Sequence, residues 1–548
     1  MSVGWYRRFR QRLARNYPVL QHDHPSYRWL VLGTVMIATF MAVLDVTIVN
    51  VALSKLMSSF GVSVDQIEWV VTAYLLVFGV MLPTTGWLAD HLGTKLIFTA
   101  GLLLFTIGSL LCSLSWDFNV LIVFRIIQGA GAGILMPVGL AIITREFPPE
   151  KRGIALALWS VSASASVSLG PAIGGYLIDN YSWKTIFDVN VPVGIVGMAA
   201  AAIVLHERKS AEVRSFDLVG FISMTGFLTS LLLALACGNS AWNTGGWTSD
   251  FILTCFSISA ISLTIFLITE FSVKHPLIEL DLLKNFNFAV SNVVLFLFGF
   301  GMFGSTFLLP IYLQGSLGYT PLQAGLVFLP VGFLQGLSAP VAGLFSDKYS
   351  PKLPAFLGMF IMAITFYQFS HLSFLTERHE IMFPLYLRGI AMGILFAPLT
   401  GIAIMDIPRQ RMAQASGLMN VIRQIGGSFG VAALGSFLTT RTNYHSTLYG
   451  QQLNANSESF RQTMGKLQSF SQHSLGGTSA EAIMRAKAQI GAFVGKEAFI
   501  SAINDVFLLA AIIVMVGAIP ILFVRGRARN KDEKAVHEGM KPIPAHVE

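Results

Sequence analysis

The chain has 548 residues, of which 54% are hydrophobic and only 12% charged, with a mean hydropathy of +0.64. That composition excludes a soluble protein of this size, which needs far more charge to cover its surface. The net charge of +8 is no pointer to nucleic acid, because the basic residues sit where membrane topology places them, and the three cysteines (Cys112, Cys237, Cys255) have neither disulfide nor metal spacing.

The first 28 residues are polar and carry six arginines, and no small-residue cleavage site follows the first apolar run. That run is expected to be a retained anchor rather than a signal peptide. Apolar runs of about 20 residues then recur, each long enough to cross a ~30 Å hydrocarbon core. We read fourteen spans, near 29–53, 67–88, 95–114, 120–143, 152–178, 185–205, 217–237, 250–272, 288–313, 321–345, 353–374, 382–406, 412–438 and 500–524.

Span 1 contains FMAVLDVTIVNVAL, with Asp45 well inside the run and Asn50 one turn beyond it. Span 2 ends in GWLADHLGTK, which carries Gly86, Asp90, Gly93 and Lys95. Arg125 opens RIIQGAGAG in span 4, three residues before Gln128. Span 5 alternates serines from 160 to 168 and then reads LGPAIGG, with Gly170, Pro171, Gly174 and Gly175. Span 6 begins in WKTIFDVNVPVG, with Asp188 about one turn inside. Span 10 ends in GLFSDKYSPK, where Gly343, Asp347 and Lys352 repeat the Gly-x-x-x-Asp-x-x-x-x-Lys of the earlier loop. Arg388 lies early in span 12, as Arg125 does in span 4, and span 13 carries Asn420, Arg423 and Gln424 in NVIRQIGGSFG.

The matched loops and arginines pair spans 1–6 with spans 9–14 and leave spans 7 and 8 as an inserted pair. The expected fold is all-α and polytopic: two six-helix bundles plus two inserted helices, fourteen transmembrane helices in all. The expected divisions are a basic segment over 1–28, the first bundle over 29–205, a linker with spans 7 and 8 over 206–287, the second bundle over 288–524, and a tail over 525–548. Short loops on one side carry only Lys55, Lys184 and Arg378. Most of the remaining lysines and arginines fall on the other side, so both termini are expected in the cytoplasm.

In this order the motifs resemble the fourteen-span drug:proton antiporters of the major facilitator superfamily, and are most similar to EmrB-type multidrug efflux pumps. The resemblance covers nearly the whole chain. It departs at His91 and Thr94, where the loop motif usually has basic residues, and at Asp188, where an apolar residue is usual. It implies proton-coupled export of small-molecule drugs across the bacterial inner membrane, with no cofactor beyond the proton gradient. An importer or a lipid or metabolite transporter on the same fold is the alternative. No nucleophile–base pair, metal constellation or phosphate-cradling loop is visible, so neither an enzyme nor an ATP-driven pump is expected.

Charges inside spans are costly and usually have a partner or a wet cavity. Asp45 is the expected proton-coupling acid, tuned by Arg125; the alternative is a purely structural ion pair. Asp188 is a second titrating candidate, against an interfacial acid beside Lys184. With the resemblance, Asn50, Gln128, Asn420, Arg423 and Gln424 are expected to line the substrate cavity, while interhelical hydrogen bonding is the bland reading for span 13. Arg388 reads as structural. The two loop repeats are expected to latch the bundles, and the span 5 motif to seal one side of the cavity; a tight turn and simple close packing would explain the same residues. The 42 phenylalanines and 20 methionines would suit amphipathic cargo, although most must face lipid or other helices.

The segment 439–499 is expected to lie outside. Apolar residues recur at helical spacing (Phe460, Met464, Leu467, then Ile483, Ala486, Ile490, Phe493), separated by Gly476-Gly477 and a capping box at Thr478 and Glu481. Two amphipathic helices standing outside the membrane are predicted, against a solvated spacer. The resemblance implies that they dock a periplasmic adaptor protein leading to an outer-membrane channel.

Overall fold

The computed structural model describes residues 24, 26–207, 215–238, 242–274, 276–348, 350–408, 411–453, 457–476 and 478–524. Most of the segment 1–28 and all of the tail 525–548 lie outside the described residues. Among the described residues there are fourteen helices long and apolar enough to cross a membrane, and no strand.

Spans 1 to 5 are Tyr27–Phe60, Val64–Leu92, Thr94–Ser113, Phe118–Glu146 and Pro149–Asn180. Span 6 is interrupted after Thr185–Asp188 and resumes as Asn190–Val204; spans 7, 8 and 9 are Leu218–Cys237, Asp250–Ser272 and Phe286–Gly315. Span 10 is likewise broken, into Pro321–Leu326 and Leu329–Lys348. Spans 11 to 14 are Lys352–Phe369, Arg378–Ile404, Met412–Gln452 and Ser479–Phe523. Several helices overrun their apolar runs because polar caps carry them past the hydrocarbon edge. Ser63 N–H donates to Gln66 Oε1 at 3.1 Å at the head of span 2, and Thr320 N–H to Gln323 Oε1 at 3.0 Å at the head of span 10.

In segment 439–499 the helix Glu458–Leu475 and a helix starting at Ser479 are both present, and the second differs from expectation in its length. The capping box is present, with Thr478 N–H donating to Glu481 Oε2 at 3.0 Å, but the helix it starts runs unbroken for 45 residues into span 14. Span 13 also continues outward to Gln452, leaving Glu458–Leu475 as the one separate helix of the segment among the described residues. The two extensions hold each other upright. Asp505 accepts from Arg441 Nε at 2.6 Å and lies 2.7 Å from His445 Nε2, while Tyr449 and Ser501 hydroxyls meet at 2.8 Å.

In the first half, span 1 packs on span 5 and span 4 on spans 2 and 3; in the second, span 9 packs on span 13, span 12 on spans 10 and 11, and span 14 on spans 11 and 13. Spans 2 and 13, 5 and 10, and 1 and 9 meet across the seam. Span 7 lies over that seam, touching spans 2 and 13, with span 8 against its outer side. Three hydrogen bonds join the halves toward the ends of the spans that carry the loop between spans 1 and 2. Gln314 Nε2 donates to the Val51 carbonyl at 2.8 Å, Leu322 N–H to Asp179 at 3.0 Å, and the Ser168 hydroxyl to the Leu329 carbonyl at 2.5 Å. The two halves are therefore in contact at that end.

Candidate functional site

Asp45 and Arg125 meet in the centre of the first half, fully buried, with Arg125 Nη1 donating to Asp45 Oδ2 at 2.5 Å. The other carboxylate oxygen accepts from Gln128 Nε2 at 2.7 Å and Asn190 Nδ2 at 3.1 Å. Gln128 is the hinge of the group: its Oε1 accepts from Arg125 at 2.7 Å and its Nε2 donates to Ser109 at 2.6 Å. Arg125 also donates to the Val70 carbonyl at 2.9 Å, and its guanidinium lies 4.2 Å from the Tyr74 ring centroid. Spans 1, 2, 3, 4 and 6 thus converge on one ion pair.

A buried pair with its remaining lone pairs and N–H groups satisfied is tolerable in low dielectric; with one partner removed it is not, at about 3–5 kcal/mol. The donors that meet Asp45 tie spans 1, 4 and 6 together.

Gln128, expected on a cavity wall, is buried as the bridge of this cluster. Asn50 is also buried, donating to the Val46 carbonyl at 3.0 Å while its Oδ1 has no partner. The structure does not bring Asp188 to the cluster. Its side chain is exposed, on the short turn Thr185–Asp188, and forms no ion pair with Lys184 among the described residues. Asn190, two residues on and across the helix break, makes the contact instead. Helical phase explains the difference: residues two apart point to different faces.

The second half is not a copy. Arg388 is buried and donates to the Met302 carbonyl at 3.2 Å and to the Thr306 hydroxyl, with Nε and Nη1 unpartnered. Arg423 reaches Asn420 Oδ1 at 3.4 Å and lies 5.7 Å from the Phe396 ring centroid, with its Nε unpartnered. Gln424 is buried against Gly79 of span 2 at the seam. Asn420, Arg423 and Gln424 therefore do lie together on span 13, with Gln424 directed at the opposite half.

The first loop repeat is fastened within its own half. Asp90 pairs with Arg145 of span 4 at 3.3 Å, both partly exposed. Lys95 Nζ donates to the Ala202 and Leu205 carbonyls at the end of span 6, at 2.5 and 2.8 Å. Glu207 in return accepts from the Lys95 and Leu96 N–H groups at 3.2 and 3.1 Å, capping span 3. Gly93 has φ 106° and a Cβ there would collide with Glu207, so both its conformation and its neighbour require glycine. Gly86 and Gly343 face open space. The helix carrying Asp347 is described, but the Asp347 side chain lies outside the described residues, and Lys352 is partly buried at the start of span 11.

The span 5 motif serves two neighbours at once. Gly170 and Gly174 press on Thr47 and Ile48 of span 1, while Gly175 meets Pro321 and Leu322 of span 10 and the Pro171 carbonyl meets Gly325. Small residues permit these backbone approaches. Sequence reading missed Asn190, Ser109, Arg145, Glu207 and Thr306. Asn190 stood inside a motif already singled out; the others had no local signal.

Comparison with known proteins agrees with this architecture. Residues 35–431 match the family model of the Major Facilitator Superfamily. The chain is 31% identical to the fatty acid resistance protein FarB of Neisseria gonorrhoeae, over 93% of this chain and 97% of that one. It is 33% identical to the multidrug export protein EmrB of Escherichia coli (strain K12), over 78% and 83%. A solved bacterial homolog of the human lysosomal transporter Spinster, in an inward-facing conformation, has the same fold at a TM-score of 0.59 and 17% identity, covering 92% of this chain and 99% of that one.

Proposed function

This chain belongs to the major facilitator superfamily, and we propose that it exports amphipathic drugs or toxic compounds across the bacterial inner membrane in exchange for protons, by alternating access. The observation that carries the proposal is the buried Asp45–Arg125 pair with Gln128 and Asn190 around it. It gives the first half a protonation-sensitive lock joining several spans. The names of relatives, multidrug export protein EmrB among them, support a drug as cargo.

The buried Arg388 and half-buried Arg423 of the second half favour one refinement. Arg388 and Arg423 have no carboxylate partner among the described residues, and one relative is named a fatty acid resistance protein. Acidic amphipaths are therefore included in the cargo we propose. We also propose that both termini are cytoplasmic, and that the outer extensions of spans 13 and 14 with the helix Glu458–Leu475 meet a periplasmic adaptor in a tripartite assembly. Phe470 and Met484 are exposed there, which supports a docking role.

The test is uptake of a fluorescent drug into inside-out membrane vesicles on imposing an acidic lumen. Accumulation that collapses with the pH gradient is expected. Drug movement indifferent to the gradient, or absent, defeats the reading, and competition by a long-chain fatty acid tests the refinement.

A further inference from the structure

Glu68 is a buried acid that the cluster above does not use. It sits in the second turn of span 2, at the outer end of the helix, and is fully buried. Neither of its carboxylate oxygens has a hydrogen-bond partner. Its Oε2 occupies the space where Gly435 of span 13 lacks a side chain, so the carboxyl lies in the seam between the two halves. Among the described residues it forms no ion pair. On its own helix the neighbouring charge is the acid Asp65. On span 13, the titratable groups further outward are Arg441, Tyr444, His445 and Tyr449, of which Arg441 and His445 are engaged by Asp505. The outer end of span 7 carries Cys237, and that of span 3 carries Cys112. Span 4 offers Arg125, already bound to Asp45 of span 1, and the exposed outer end of span 1 carries Lys55.

We propose that Glu68 is a second proton-binding site, loaded from the outer aqueous phase, which makes closure of the outer side depend on protonation. An ionised carboxylate without partners is costly to hold in a dry helix interface, whereas the neutral acid is far less so. The sealed seam therefore holds the protonated form. Separating spans 2 and 13 at their outer ends wets the side chain and lets the proton leave to external water; closing again takes a proton back. Low external pH favours the sealed state and high external pH the outward-open one. Gly435 is the structural counterpart, because a side chain there would evict the carboxyl. The inference rests on the alternating-access part of the proposed function and on no particular cargo.

The full-length protein in lipid nanodiscs, spin-labelled at the exposed outer-loop positions Tyr181 and Leu375 on opposite halves, reports the outer opening directly. The wild-type outer distance should lengthen as pH rises. Glu68→Gln should stay short across the range, losing most of that response. Gly435→Ala should open at lower pH than the wild type, which keeps the proposal testable should Glu68→Gln fail to fold. A Glu68→Gln protein that opens over the same pH range as the wild type overturns the proposal, as does an unshifted Gly435→Ala or a wild-type distance indifferent to pH. Because no drug is present, failure of the export reading shows separately, in the vesicle assay.

Discussion

Arg388 of span 12 is hydrogen-bonded to the hydroxyl of Thr306 on span 9, where its counterpart Arg125 of span 4 meets the carboxylate of Asp45 on span 1. The same helix pairing thus carries an ion pair in one half and a cation with a neutral partner in the other. A hydroxyl cannot switch its charge with pH in this range; a carboxylate can. The repeat builds two matched frames that carry different polar partners at this place.

Removing the cation should therefore damage the first half more than the second. Arg125→Met leaves Asp45 buried without its charge partner, a loss of about 3–5 kcal/mol. The double variant Asp45→Asn with Arg125→Met should recover much of that loss. Thermal unfolding of the detergent-solubilised proteins checks both, and equal destabilisation by single and double variants would contradict the lock.

Asp45→Asn by itself should leave the protein folded and inserted while reducing proton-driven drug uptake in inside-out vesicles by at least about tenfold, the equivalent of ~1.4 kcal/mol in the barrier. Full transport by this variant would remove Asp45 from the coupling step.

Asn190→Ala removes one donor to a buried carboxylate, a hydrogen bond worth about 1.5–3 kcal/mol. Asp188→Ala, at an exposed position, should cost less than about 0.5 kcal/mol. Comparing unfolding and transport of the two separates the residue that motif reading favoured from the one the fold uses.

The contact between spans 5 and 10, which we propose seals the outer side, depends on backbone approach. A Cβ at Gly325 would meet the Pro171 carbonyl, and one at Gly175 would meet Pro321 and Leu322. Gly325→Val and Gly175→Val should hold spans 5 and 10 apart, raise outside labelling of a cysteine placed at Ser168, and abolish turnover. Unchanged labelling would mean that the seal lies elsewhere.

Replacing the helix Glu458–Leu475 by a short Gly/Ser linker should spare drug uptake in vesicles and remove export from intact cells. Equal loss in both assays would count against adaptor docking through this segment.

Much of this architecture was readable without coordinates, and for a physical reason. A hydrocarbon core demands long apolar helices, so spans announce themselves as local runs; matched loops such as GWLADHLGTK and GLFSDKYSPK announce the internal repeat. Asp45 and Arg125 stood out for the same local reason, as charges where charges are expensive. Caps at Thr478 and Glu481 were also local and are present in the structure. The helix they begin was misjudged, because its continuation is held by Arg441, His445 and Asp505, which are far apart in the chain.

What only the tertiary structure decided is which polar groups meet. Asn190 rather than Asp188 reaches Asp45 because a helix break and a rotation of two residues set the facing side. Glu68 near the end of span 2 has Gly435 of span 13 across the seam from it, a pairing that only the fold creates. Composition and periodicity determine that a helix crosses the membrane and which residues are costly inside it. Helix rotation and the partner across the interface determine whether that cost is met, and these depend on contacts that no single segment encodes.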